Sequence, residues 1–325
     1  MKRFLSRTSC GLLFTLAIMW GVGQIFRDVI WLTGICFYIP SPLLAACFLV
    51  AALIAFAKKR RRFAGLLLLL AMLPVGIICF RENSFWRSTD VNQANPNAQT
   101  LRLVHWNVFR GHLGWDKIQQ TLATEQGDFY LLSEIPDGAS LDDLTRLRAE
   151  PSSTTGNANQ SQWFRIGSMA VWGRGSIDDL GWLIKSREAK VHLLDWHSPS
   201  GKLKILAVDL ISDPFVPRDP LLKQIHALIE THQPDIIVGD FNAPRESLGL
   251  SRLPQGYRHA YWTAGTGWSY TWPVPVPMYA LDQCFFGPRI TPLDYRLNSS
   301  RLSDHRMQVF DFELQGNDDR MMNEE

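Results

Sequence analysis

The first chemistry visible in this chain is an aspartate and an asparagine, one residue apart, at the end of an apolar run. The stretch is Asp235-Ile236-Ile237-Val238-Gly239-Asp240-Phe241-Asn242-Ala243-Pro244. The run Ile236 to Val238 predicts a buried strand. Gly239 is expected to end it, and Pro244 to help stop the turn that holds Asn242. A carboxylate at that point can take a proton from a water, and the neighbouring carboxamide can grip a phosphate oxygen. Asp and Asn are also common turn residues after any strand, so the pair needs company before it means catalysis.

Four further stretches provide it: Val104-His105-Trp106-Asn107, Leu131-Leu132-Ser133-Glu134, Ala280-Leu281-Asp282 and Ser303-Asp304-His305. Each is short, but all five occur in order and near predicted strand ends. On these residues, Leu101 to about Leu314 resembles the endonuclease/exonuclease/phosphatase superfamily. Its members are metal-dependent phosphoesterases that include nucleases, sphingomyelinases and inositol-phosphate phosphatases. The resemblance implies an α/β fold, a four-layered sandwich with two mixed β-sheets flanked by helices.

It also implies roles. Phosphoester cleavage by this route needs a hard cation, an activated water and donors for the charge that develops on phosphorus. Mg²⁺, with Mn²⁺ as a substitute, prefers oxygen ligands. Glu134 is the implied main ligand, Asn107 supports metal or phosphate, and Asp304 adds a ligand. Asp240 would orient or deprotonate the water. Asn242, Asn107 and His305 would bind the phosphate, and His305 would also assist proton transfer. Asp282 would fix the tautomer of His305. Tyr270-Thr271-Trp272-Pro273 reads as a wall of the site.

The chain departs from the pattern at Asp209-Leu210. Nucleases and sphingomyelinases of the superfamily usually carry His-Leu there. A histidine donates to a phosphate, whereas an ionised aspartate only accepts and repels it. Asp209 would then bind a cation, or stay protonated, and the mechanism would be altered or the activity weak.

The elements that position these residues follow a break in composition. The chain has 325 residues, is 46% hydrophobic and carries a formal charge of +2. Residues 1–100 hold 11 Lys+Arg against 3 Asp+Glu, net +8, and residues 101–325 carry net −6. The second part lacks the overall basic excess usual for a nucleic-acid binder. Three uncharged apolar runs occupy residues 1–80, with spans expected near 10–26, 38–57 and 63–80, each close to the ~20 residues a bilayer requires. Lys2, Arg3 and Arg7 precede the first, and Lys58-Lys59-Arg60-Arg61-Arg62 separates the last two. Basic loops stay cytoplasmic, so three crossings place the rest of the chain outside. This reads as a multi-pass inner-membrane protein with an extracytoplasmic catalytic domain, joined by a polar tether over 81–100. A signal peptide is the competing reading of the first run. The cysteines show no pairing or metal-ligand spacing and are expected to pack as small apolar residues.

Within 101–314, strands are expected at 101–108, 128–133, 168–172, 189–196, 203–210, 279–286 and 306–314, besides the central one. Helices are expected at 115–126, 141–149 and 221–231, a mobile loop at 151–162, and a frayed tail over 315–325. The functional expectation is a membrane-anchored phosphoesterase acting on a lipid, small-molecule or nucleic-acid phosphoester, with no protein partner inferred. The alternative is a tethered binding protein of the same fold with lost or weak catalysis, and Asp209 is its support.

Overall fold

The computed structural model describes residues 2–87, 98–139 and 163–315. The expected helix at 141–149, the loop at 151–162, much of the tether and nearly all of the tail lie outside them. The chain forms two compact units. One comprises Met1–Phe85, Asp213–Lys223 and Pro244–Arg252, and the other Trp86–Ser212, Gln224–Ala243 and Leu253–Glu325.

The first unit contains α1 (Lys2–Phe26), α2 (Trp31–Phe37), α3 (Ser41–Ala57) and α4 (Arg61–Ile77). The expected span at 38–57 falls on α3, with Pro40 at its N-cap, and the short α2 precedes it. Proline's fixed φ and missing N–H suit that position. Among the described residues, Arg61–Glu82 is the one helix long and apolar enough to cross a bilayer alone. Gly11–Phe26 and Trp31–Phe37 reach that standard only as a pair, bent by 115°, and α3 is shorter. Trp20, Leu44, Phe48, Leu67 and Ala71 pack inside the unit. Leu12, Leu53, Leu69 and Met72 stay exposed outside, an apolar exterior of the kind that marks an interaction or membrane surface.

The second unit is built on two six-stranded sheets. The first contains β1 (Leu101–Asn107), β2 (Phe129–Ser133), β3 (Phe164–Ile166), β4 (Met169–Gly173), β11 (Ile290–Asn298) and β12 (Met307–Leu314), in the order β11-β12-β1-β2-β4-β3. The second contains β5 (Ser176–Lys185), β6 (Ala189–Ser198), β7 (Gly201–Leu210), β8 (Ile236–Asp240), β9 (Arg258–His259) and β10 (Asp282–Phe286), in the order β5-β6-β7-β8-β10-β9. β1 pairs parallel with β2, and β7 with β8; the other pairings are antiparallel, so both sheets are mixed as expected. The helix α5 (Trp115–Glu125) lays Ile118 and Leu122 on the outer face of the first sheet, against Val104, Trp106, Tyr130 and Leu132. α6 (Asp219–His232) connects β7 to β8.

Strand periodicity sets up the site. Side chains alternate between faces with a period of two. Leu101 and Leu103 of β1, Ile205 and Ala207 of β7, Ile236 and Val238 of β8, and Cys284 and Phe286 of β10 all enter the inter-sheet core. The same parity carries the core-facing row on to His105 and Asn107, Asp209, Asp240 and Asp282. The interior therefore changes from apolar to polar at one end of the sandwich.

Gly239 lies inside β8 rather than ending it, with φ 150°. A Cβ there would sit 1.9 Å from the Val208 carbonyl oxygen, so only glycine allows this approach of β8 to β7. β10 starts at Asp282 rather than at 279, because Tyr279 is engaged in an isolated bridge with Trp272.

Candidate active site

Asp240 is the centre of the polar end. Its Oδ2 accepts from Asn107 Nδ2 at 3.0 Å and its Oδ1 from the Asn242 amide at 2.9 Å. Asn107 Nδ2 also reaches Glu134 Oε1 at 3.2 Å, so one carboxamide ties two carboxylates on different sheets. Glu134 follows β2 at φ 51°. Regular alternation would send it outward with Tyr130 and Leu132; the left-handed turn brings it to Asn107 instead. Asn242, at φ 46°, is left-handed as well, as are Phe109 and Arg110 beside Asn107 and Glu134. Non-glycine residues in this region cost energy and cluster at functional sites.

A second group faces Asp240. His305 Nδ1 lies 2.8 Å from Asp282 Oδ2, and His305 Nε2 lies 4.0 Å from Asp240 Oδ2. Burial pulls the His305 imidazole down, but Asp282, with Asp240 and Asp304 behind it, raises it to about 10. Burial opposes ionising Asp282, yet the charge and hydrogen bond of His305 hold it below the usual carboxylate range. Burial, then the charges of Asp282 and Asp209, push Asp240 up to about 8 against the pull of His305. The site thus pairs a cationic imidazole with a proton-avid carboxyl, two groups driven apart by their surroundings.

The expected wall residues act as clamps. Thr271 Oγ1 accepts from the Leu281 and Asp282 amides at 3.0 and 3.2 Å. Trp272 Nε1 donates to Asp304 Oδ2 at 2.9 Å, and Asp304 Oδ1 is buried without a hydrogen-bond partner. Ser303 Oγ donates to the Asn107 carbonyl at 2.6 Å and accepts from the His305 amide at 3.0 Å.

The match to the Endonuclease/Exonuclease/phosphatase family model spans residues 104–305. The chain belongs to this family. No curated protein matches. Among solved structures, the chain is similar to a humanized D. rerio TDP2 carrying 14 mutations, at 19% identity over 66% of this chain and 99% of that one, with a TM-score of 0.49. It is also similar to an endonuclease/exonuclease/phosphatase family protein from Bacteroides thetaiotaomicron, at 12% identity over 67% and 99% of the chains and a TM-score of 0.49.

Family members are generally metal-dependent, and the donor set of this chain fits a hard cation. Glu134 and Asp240 are oxygen donors held together through Asn107, and the buried Asp304 Oδ1 and Asp282 Oδ1 have no hydrogen-bond partner. Ligand atoms of Asp240, Asp282 and His305 also lie within 4.8 Å of one another. His305 Nδ1 is already bonded to Asp282 Oδ2 at 2.8 Å, and a hard cation prefers oxygen to imidazole ligands. The Glu134–Asp240 pair therefore fits better. Asn107 turns its nitrogen, not its oxygen, toward the carboxylates, because its Oδ1 accepts from the Phe109 amide at 3.0 Å. Asn242 Nδ2 donates to the Leu210 carbonyl at 2.8 Å and ties the end of β8 to that of β7.

Asp209 is not a lone charge. Its Oδ2 accepts from Lys190 Nζ and Ser168 Oγ, both at 3.0 Å. Sequence reasoning missed Lys190, Ser168 and the role of His105. His105 is fully buried, accepts from Gln308 Nε2 at 2.8 Å through Nδ1, and meets Ser133 Oγ at 3.1 Å through Nε2. Burial drives its imidazole down to about 4, so it stays neutral behind Asp282. The available signal was its place two residues before Asn107 on the same strand face.

Proposed function

We propose that this chain is a membrane-anchored phosphoesterase that hydrolyses its substrate by water attack at the Asp240 end of the sandwich, with Mg²⁺ as cofactor. The carrying observation is the Asn107 carboxamide joining Glu134 to Asp240 beside the His305–Asp282 pair. Glu134 and Asp240 would hold the cation, with Asp304 as a further candidate. Bound there, Mg²⁺ supplies Lewis-acid polarisation of a phosphoryl oxygen. Asp240, buried at the centre of the site and held by Asn107 and the Asn242 amide, would accept the proton of the attacking water through a carboxylate oxygen. His305, kept cationic by Asp282, donates to a non-bridging phosphoryl oxygen from Nε2. Asn242 anchors the loop that carries Asp240, and a phosphate contact from it remains part of the proposal.

The anchor reading rests on the exposed apolar residues of α1, α3 and α4 and on the basic loop Lys58–Arg62. Positive charge stays cytoplasmic, which favours an extracytoplasmic catalytic domain. The net charge of −6 over residues 101–325 favours a lipid or small phosphoester over nucleic acid. The tethered-binder reading loses its main support, because Lys190 offsets the charge of Asp209. Assaying the full chain on a panel of phosphodiesters and phosphomonoesters with Mg²⁺ or Mn²⁺ tests the proposal. Metal-dependent release from at least one class is expected, and silence on all of them would refute it.

A further inference from the structure

Four ionisable side chains occupy one register row across four adjacent strands. Lys190 on β6 pairs with Asp209 on β7, Asp209 with Asp240 on β8, and Asp240 with Asp282 on β10. Residues paired in register share a face, and here it is the face that lines the inter-sheet core. Three of the four are carboxylates. A row of that sign repels an anionic phosphoester, and Lys190 is the cation placed to reverse it at the Asp209 end.

Its side chain is fixed rather than waving in solvent. Lys190 Nζ donates to Asp209 Oδ2 at 3.0 Å and to Ser168 Oγ at 2.8 Å, and Ser168 Oγ itself donates to the same Asp209 oxygen at 3.0 Å. An ammonium has three donors, and this triangle uses two. Asp209 is nearly buried while the Lys190 side chain keeps 35% exposure. The cation is therefore held from behind and open in front. A simple structural ion pair needs neither the serine nor the shared row with Asp240.

We propose that Lys190 is a substrate-contacting residue whose ammonium binds a non-bridging oxygen of the substrate phosphate, with Asp209 and Ser168 as its positioning residues. This rests on the phosphoesterase reading for the substrate class but is tested separately from it.

The test titrates inorganic phosphate into the full chain at fixed Mg²⁺ by calorimetry, alongside hydrolysis of bis-p-nitrophenyl phosphate. Lys190→Met keeps the stem and removes the charge. Losing one charge-assisted hydrogen bond should weaken phosphate binding about tenfold or more and raise KM more than it lowers kcat. Lys190→Arg should recover part of the affinity. Asp209→Asn should give an intermediate loss, because the ammonium remains but is less fixed. If Lys190→Met destabilises the chain by orphaning Asp209, the Lys190→Met/Asp209→Asn double variant removes both charges and should fold while binding phosphate weakly. Unchanged phosphate affinity and KM in either folded variant overturns the proposal even if the wild type is an active phosphoesterase. A wild type without hydrolytic activity that still binds phosphate through Lys190 keeps the contact and refutes only the hydrolytic reading. A wild type that neither hydrolyses nor binds phosphate refutes both.

Discussion

Gly239→Ala gives the sharpest structural prediction, because its cost can be worked from contacts. The added Cβ would lie 1.9 Å from the Val208 carbonyl oxygen, 2.8 Å from its carbonyl carbon and 3.0 Å from its nitrogen. All three atoms are backbone, so no side chain can swing aside. Relief requires β8 to move from β7 by more than about 1 Å, in a core packed to near crystal density. Overpacking of this kind costs about 1–3 kcal/mol, and placing alanine at φ 150° adds strain. A loss of about 2–4 kcal/mol corresponds to a melting temperature lower by roughly 5–15 °C for a domain of this size. The displacement falls on the register pairs Val208–Gly239 and Asp209–Asp240, so Asp240 moves with it. A shift of about 1 Å in a reacting group can cost on the order of 10² in rate. Thermal unfolding read by circular dichroism, together with phosphoester turnover, measures both effects. An alanine variant that melts within about 2 °C of wild type and keeps its turnover would refute the close-approach argument.

Three further outcomes follow from other parts of the molecule. Glu134→Gln keeps the shape and removes the charge, so Mg²⁺ affinity by calorimetry should fall about tenfold or more; an unchanged titration would remove Glu134 as a ligand. Burial opposes ionising Asp311, yet bonds from Arg102 at 2.7 and 2.9 Å and from Arg296 at 2.9 Å hold its carboxyl below the usual range. A depressed carboxyl stabilises the fold above the unfolded value of ~3.9 and loses that contribution as pH falls through the folded one. Asp311→Asn should thus cost about 1–3 kcal/mol at neutral pH, and its gap to wild type should close below about pH 4 in pH-dependent melting. Reporter fusions after residue 95 should be active for a phosphatase that matures outside the cytoplasm and dark for a fluorescent protein that needs the cytoplasm; the reverse pattern would overturn the topology.

What the sequence showed depended on where each residue sits in the sheets. The interior strands β1, β2, β4, β6, β7, β8, β10 and β12 carry apolar runs and were legible. The four strands it did not reveal, β3, β5, β9 and β11, are the four sheet edges. Edge strands have solvent on one side and need no apolar run; β5 has no buried residue at all. The motif residues Asn107, Glu134, Asp240, Asp282 and His305 were legible because they end interior strands or directly follow or precede them. Lys190 and Ser168 were not, because their meaning depends on cross-strand register with Asp209, and register is a tertiary fact. The left-handed backbone at Glu134 was hidden too, since nothing in Ser133-Glu134-Ile135 demands it.

Hydrolysis of bis-p-nitrophenyl phosphate by the full chain and its Asp240→Asn variant, with Mg²⁺ and with chelator, tests the central claim most directly. The substitution keeps the size of the side chain and removes the oxygen that accepts the proton of the water. The account predicts Mg²⁺-dependent release of nitrophenol by the wild type and a loss of about 10²–10⁴-fold in the variant, with its fold intact. Equal rates in the two proteins, or release indifferent to chelator, would contradict it.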